Sequence, residues 1–285
     1  MPGPRIALAL GSGGMKGIAH VGVLRALEEA EIRPTVYAGS SAGALIAAAA
    51  AHGIALAEME SIAHRLRRRS LFQIDFLSLI RHGLRAQALY RATPLRELCA
   101  ELFGRTTFRE IKTPLVVSSV DVETAVPLWW SAASWPDVPV ADTVYASCAM
   151  PGLLPPGRVC GRICVDGGVL DPLALRGVAP LADLVIAVVL DGAAPPARNT
   201  TTVSTAATLL WHTQRMVTHD LGRHTLARWD GPPLLLIQPE LRDVHPLRGG
   251  DPRKVIDAGY RAARNALARR ERLASQLGAS TPSSD

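Results

Sequence analysis

An α/β fold, with a mostly parallel central sheet flanked by helices, is the class that this 285-residue sequence predicts. Three observations carry it. Short apolar runs alternate with longer segments of helical periodicity, the alternation that builds parallel sheets covered by helices. Glycine-rich turns at 11–17, 39–43 and 166–168 each follow such a run directly, and functional groups in these sheets gather at the carboxyl ends of strands. The length suits one large domain with a well-buried core, and no internal break demands a second.

Arg5 to Leu10 reads as the first strand. Ile18, Val21, Leu24 and Leu27 then recur at helical spacing in a helix that ends before Pro34. Thr35 to Ala38 is the second strand, and Leu45 to Ala51 a short alanine-rich helix behind the turn that follows. Residues 56–90 have a different character: Arg65, Arg67, Arg68 and Arg69 precede the apolar run Leu71 to Ile80, and Arg81, His82 and Arg85 follow it. A basic and apolar insertion is either a lid or interfacial element, or a core segment with solvated arginines. Thr93-Pro94 starts a helix that Gly104 stops. Pro114 to Val120, Ala125 to Trp130, Arg162 to Val165, Leu184 to Leu190 and Leu234 to Gln238 supply further strands. Trp129, Trp130 and Trp135 read as core or edge residues, with an acyl-pocket or membrane-facing role as the alternative. Asp191 to Thr202 reads as a flexible connection, followed by helices over 203–229 and about 252–277 that cover the sheet. The domain therefore spans 1–277, and 278–285 is a polar tail expected to be disordered.

The net charge of +6 comes almost entirely from arginine, since Lys16, Lys112 and Lys254 are the only lysines. No aromatic-interleaved basic patch accompanies it, so nucleic acid is not an expected partner. Cys99, Cys148, Cys160 and Cys164 lack C-x-x-C spacing and read as small buried residues. The apolar run from Ile6 stops at the glycine turn, too soon for a secretory signal, and no segment reaches the length of a membrane span. A soluble cytoplasmic protein without metal or cofactor is expected. A dinucleotide fingerprint fails because Lys16 stands at its third glycine and no ribose-binding acid ends the second strand; a P-loop fails for want of Gly-Lys-Ser or Gly-Lys-Thr.

The three turns carry the chemistry. Gly39-Ser40-Ser41-Ala42-Gly43 has the G-x-S-x-G form, which holds a serine on a sharp strand-to-helix turn. Gly11-Ser12-Gly13-Gly14-Met15-Lys16-Gly17 offers backbone amides at a helix start, where negative charge is favoured. Asp166-Gly167-Gly168 delivers a carboxylate from a strand into a turn, a candidate base. Any one of these occurs by chance or as an ordinary turn; the ordered set is far more specific.

That order, with the stretch Gly11 to Leu24 and the block Ala146 to Pro156, resembles the patatin-like phospholipases, in particular bacterial single-domain members. The resemblance implies a three-layer patatin-like fold and a lipid or acyl-ester substrate, with peripheral membrane contact as a candidate feature. It implies a Ser41/Asp166 dyad without histidine, an oxyanion hole from the amides of Gly13 and Gly14 with Ala42 as third donor, and supporting roles for Gly11, Lys16, Gly17, Gly39, Gly43, Gly167 and Gly168. Lys16 either holds its loop or attracts an anionic head group. Two positions depart from the family pattern. Asp171 replaces a frequent asparagine, and a second carboxylate beside Asp166 would raise its pKa; Ser12 replaces a frequent glycine. Two other readings stand beside this one. A Ser/His/Asp esterase would draw its histidine from His212, His219, His224 or His245, although Ser41 comes early for that fold, and His20 reads as a packing residue. A non-catalytic lipid-binding regulator would keep the fold without the chemistry.

Overall fold

β1 (Ile6–Leu10) lies inside an eight-stranded sheet in the computed structural model, which describes residues 3–66, 71–83, 86–190 and 206–279. The other strands are β2 (Val36–Ser40), β3 (Leu115–Asp121), β4 (Val126–Trp130), β5 (Gly157–Val159), β6 (Arg162–Asp166), β7 (Leu184–Val188) and β8 (Leu234–Ile237). Their order is β5-β6-β3-β2-β1-β7-β8, with β4 also paired to β3. The stretch from β3 through β2, β1 and β7 to β8 is parallel, whereas β4, β5 and β6 join antiparallel.

One feature of the register brings distant residues together. Val117 and Ser118 of β3 pair with both β2 and β4, while Ser119 to Asp121 pair with both β4 and β6. β2 and β6 therefore share the edge of β3 opposite β4. β2 runs along β3 and stops at Ser40 opposite Ser118; β6 runs the other way and stops at Asp166 opposite Ser119. Two strand ends thus meet head to head.

Alternation along β1 separates two apolar layers, as the period-two geometry of a strand requires. Leu8 and Leu10 face a core built with α1 (Ala19–Glu29), α2 (Ala42–His52), α3 (Leu56–Arg65), α5 (Thr93–Phe103), α6 (Val140–Cys148) and α9 (Pro252–Ala279). Ala7 and Ala9 face the second layer, where Leu175 and Val178 of the short α7 (Leu175–Val178) pack with Trp129, Leu226 and Trp229. Both faces being covered, β1 and β7 are apolar throughout.

The insertion divides. Met59 and Ala63 of α3 are buried, and Leu71 and Phe72 are half-buried against the core, with Phe72 edge-on to Tyr90 at 5.4 Å between centroids. In α4 (Phe76–His82), by contrast, Phe76, Leu77 and Ile80 are 65%, 53% and 82% exposed. Arg67, Arg68, Arg69 and Arg85 lie outside the described residues, as does the stretch 191–205 that contains the expected flexible connection. α9 continues through Ala279, two residues beyond the expected end, and 280–285 lie outside the described residues. Among the described residues no helix is long and apolar enough to cross a membrane.

Candidate active site

Ser41 adopts φ 55° and ψ −126°, a conformation costly for any residue with a side chain, on the order of 1–3 kcal/mol. Three groups hold it there. Its N–H donates to Ser147 Oγ at 2.9 Å, at the end of α6, and its carbonyl accepts from the amides of Ala44 and Leu45 at 2.8 and 3.3 Å as α2 begins. Gly43 packs so closely on the Leu10 carbonyl that no side chain fits, which fastens the start of α2 to the end of β1. Gly39 and Gly17 are closed in likewise, by Gly43 and Ala44 and by the Ala42 methyl.

Opposite, the Ser41 hydroxyl donates to Asp166 Oδ2 at 2.6 Å. Asp166 Oδ1 accepts from the Gly168 amide at 2.7 Å, and the Asp166 N–H donates to the Ala149 carbonyl at 3.0 Å, so the carboxylate is oriented from both sides. Gly167 packs on Ser118, at the β3 position where the two strand ends meet. Asp166 is 3% exposed. Burial pushes its pKa up from 3.8 to about 6, against the lowering effect of the hydrogen bonds from Ser41 and Gly168.

Asp171 plays no part in that rise. It is 2% exposed and accepts from Trp129 Nε1 at 2.8 Å, tying β4 to the turn after β6. Its own carboxyl is raised by burial, with the Trp129 hydrogen bond opposing. The expected effect of a neighbouring carboxylate on Asp166 is therefore supplied by desolvation.

The glycine loop is pinned by three of its amides. The N–H groups of Gly11, Ser12 and Met15 donate to the carbonyls of Val188, Pro172 and Pro246 at 3.0, 2.8 and 2.7 Å. The amides of Gly13, Gly14 and Ala42 make no hydrogen bond with another described residue. Gly14 has φ 57°, a left-handed conformation, and a side chain there would strike the Pro246 carbonyl. His20 is fully buried; burial lowers its pKa to about 4, so the neutral ring donates from Nε2 to the Gly11 carbonyl at 2.9 Å. It is a buried packing residue, as expected, and its ring also braces the loop through Gly11. Lys16 is 7% exposed and lines neither cavity described below.

Ser41 stands where two cavities meet. One, of about 1020 Å³ including the open space at its mouth, runs between α2, α3 and α5 and is apolar almost throughout, with Leu45, Ala49, Ile62, Phe72 and Leu98 in its wall. Cys148 also lines it; burial raises this thiol well above its ordinary pKa of 9 and keeps it protonated, so it is no rival nucleophile. The second, of about 460 Å³ on the same basis, is the more polar of the two: Ser12, Asp166 and Gly168 face Gln214, Arg215 and Thr218 of α8 (Ala206–Ala227). Gly14, Ser41 and Met150 line both. No histidine among the described residues lines either. His224 pairs with Asp220 at 3.3 Å, and His245 Nδ1 accepts from the amides of Leu247 and Arg248 at 3.1 and 3.2 Å.

The sequence model of the patatin-like phospholipases matches residues 8–179, which contain all three turns. The chain belongs to the patatin-like phospholipase family. An NTE family protein of Mycobacterium bovis is 35% identical to this patatin-like chain over 198 residues, 69% of this chain and 52% of that protein. A lysophospholipase of Neurospora crassa is 27% identical over 188 residues, 65% of this chain and 12% of its own length. The patatin-like chain thus spans about half the length of the mycobacterial relative. In fold it is similar to VipD from Legionella pneumophila, with a TM-score of 0.51 and 16% identity over 94% of this chain and 67% of that one. The type III effector protein ExoU gives a TM-score of 0.50 and 16% identity over 95% and 54%.

Ser147 is the site residue of this patatin-like domain to which sequence reasoning gave no role. It lies within the block 146–156 that carries part of the family resemblance. A serine that accepts from an amide 106 residues away has no local signature of that role.

Proposed function

We propose that this protein is a serine acyl hydrolase that cleaves carboxylic esters of phospholipids or lysophospholipids through Ser41, Asp166 and an acyl-enzyme. The observation that carries the proposal is the 2.6 Å hydrogen bond from Ser41 Oγ to a buried carboxylate, at the junction of an apolar and a polar cavity.

In the first half-reaction Ser41 Oγ attacks the ester carbonyl carbon while its proton passes to Asp166 Oδ2. The carbonyl oxygen becomes an oxyanion and takes hydrogen bonds from the amides of Gly13 and Gly14, with Ala42 as third donor. Each such donor is typically worth about 3–4 kcal/mol in the transition state. Collapse of the intermediate breaks the ester C–O bond, and Asp166 returns its proton to the departing alkoxide. Water then attacks the acyl-enzyme, giving its proton to Asp166, and the second intermediate collapses to the free acid as Ser41 regains its proton. A pKa of about 6 suits this double duty, since the carboxylate is ionised at neutral pH yet more basic than an ordinary aspartate.

The apolar cavity fits the acyl chain, each buried methylene contributing about 0.8 kcal/mol. Exposed Phe76, Leu77 and Ile80 on α4 support peripheral contact with a lipid surface, while Leu71 and Phe72 reach the acyl cavity from the same segment. Direct contact of Ser41 with Asp166 favours the dyad over a triad, in which a histidine would stand between them. An active-site-directed fluorophosphonate tests the proposal, together with a panel of esters of increasing chain length. Labelling and turnover are expected in the wild type and in neither Ser41→Ala nor Asp166→Asn. A folded wild type that neither labels nor cleaves any ester would leave a lipid-binding role instead.

A further inference from the structure

We infer that the inner face of α8 is a subsite for a phosphate group on the alcohol side of the ester, with Arg215 as its countercharge and Gln214 and Thr218 as neutral hydrogen-bonding partners. The inference rests on the hydrolase proposal for its direction and on the polar cavity for its chemistry.

Trp211, Gln214, Arg215 and Thr218 recur at the spacing of one helical face. All four are half-buried and all four line the polar cavity, whereas Thr213, Met216, Val217 and Asp220 on the remaining faces are exposed. A face of that composition against an active site is unlike the apolar faces that α2, α3 and α5 present to the other cavity. The contrast orients the substrate. An ester bound at Ser41 has two arms, and a charged or hydroxylated arm cannot enter the apolar cavity without losing its hydration uncompensated. The acyl arm therefore takes the apolar side and the alcohol arm the polar one.

A phosphate on the alcohol arm would approach the Asp166 carboxylate, which is anionic above about pH 6. Two like charges in a half-closed, low-dielectric cleft repel strongly unless a cation lies beside them. Arg215 is the only cationic side chain among the described residues that line either cavity. Its guanidinium carbon is 5.9 Å from the centroid of the Trp211 ring, and a planar guanidinium matches two phosphate oxygens in geometry where an ammonium would not. The Gln214 amide and the Thr218 hydroxyl add donors one turn apart on either side of the same wall.

The test has a catalytic and a binding arm. The ratio of kcat/KM for a lysophospholipid to that for the monoacylglycerol with the same acyl chain is expected to fall about tenfold or more in Arg215→Met and to recover in part in Arg215→Lys. A purely structural loss would lower both rates and leave the ratio intact. Binding is read on Ser41→Ala protein with dodecyl phosphate, dodecanol and inorganic phosphate. Dodecyl phosphate should bind more tightly than either of the others, and the added change Arg215→Met should abolish its advantage over dodecanol. Ester cleavage with an unchanged ratio and an unchanged binding preference overturns the subsite while leaving the hydrolase proposal standing. An Arg215-dependent preference in a protein that cleaves no ester does the reverse. Inorganic phosphate binding as tightly as dodecyl phosphate would show a free-anion site and also overturn the inference.

Discussion

Replacing Asp166 by asparagine should abolish hydrolysis and make the protein more stable, with the gain building up between the ordinary pKa of the carboxyl and its raised pKa in the fold. In the unfolded chain this group has its ordinary pKa of 3.8; in the fold, burial raises it to about 6. The folded state therefore holds the proton more tightly. The resulting contribution to stability is fully present below pH 3.8 and is lost as the pH rises through 6. At about 1.4 kcal/mol per pH unit, the difference between those two values corresponds to a loss of about 3 kcal/mol once Asp166 is ionised. Asparagine does not titrate and keeps the shape, and it also keeps both hydrogen bonds: its oxygen accepts from Gly168 N–H, while its amide donates to a Ser41 hydroxyl that has rotated to accept. Thermal melts of both proteins from pH 4 to pH 8 isolate this one group, because every other titration is common to the pair. The curves should lie close together at pH 4, diverge up to about pH 6 and run parallel above it, with the variant melting at least about 5 °C higher by pH 8. In parallel, wild-type kcat/KM should fall about tenfold per pH unit below about pH 6 and level off above it. An asparagine variant no more stable than wild type at pH 8, or a flat wild-type rate profile from pH 5 to pH 8, would refute the assignment of a desolvated base.

Ser147→Ala removes the acceptor of the buried Ser41 amide and should destabilise the protein by about 1–3 kcal/mol in chemical denaturation, with kcat falling more than KM changes; wild-type stability and kcat would show that the elbow holds without it. Gly14→Val forces a branched side chain into φ 57° and against the Pro246 carbonyl, which also carries the Met15 hydrogen bond. Turnover should drop by about 100-fold or more while circular dichroism stays native, and a loss of only a few-fold would remove this loop from the oxyanion site. Phe76→Ser, on the exposed face of α4, should lower activity on vesicles more than on a soluble short-chain ester without loss of stability, whereas Phe72→Ser, in the cavity wall, should lower both activities and stability. Equal behaviour of the two variants would contradict the division of this segment.

The candidate site is legible in the sequence because each of its parts is local. A glycine that must pass a carbonyl, a serine between two glycines and a carboxylate at a strand end all leave their mark within a few residues. What brings them together is not local: β6 runs antiparallel to β3, so its end meets the end of β2, and no property of either segment announces this pairing. Helix α6 was passed over because Val140, Thr143, Val144 and Tyr145 have strand-like character, and packing on the core overrides it. β5 has only three residues, too few to show an alternation. The run Leu71 to Ile80 was read as either lid or core, yet it breaks between Phe72 and Phe76; composition alone could not show that one half faces in and the other out. The inner face of α8 escaped for a related reason. Trp211, Gln214, Arg215 and Thr218 form an ordinary-looking polar stripe until the helix is placed across the active site.

How the proposed dyad would work without a histidine follows from the same burial that destabilises it. An exposed aspartate is a weak acceptor for a serine proton, because its conjugate acid is too strong. Free imidazole, the usual partner, has a pKa of about 6.5. Asp166, enclosed between β6, α2 and the turn at Gly168, is brought to about 6 and so comes within about half a unit of that value. The carboxylate then touches Ser41 itself, and Gly168 N–H and the Ala149 carbonyl do the orienting that a third residue does in a triad. Lowering the desolvation of Asp166, by opening the polar cavity to water, would stabilise the fold and weaken the base together. For the proposed dyad a closed cleft would therefore be a requirement, and α8, whose Gln214, Arg215 and Thr218 line that cleft, would bear on the strength of the base as well as on the room for the leaving group.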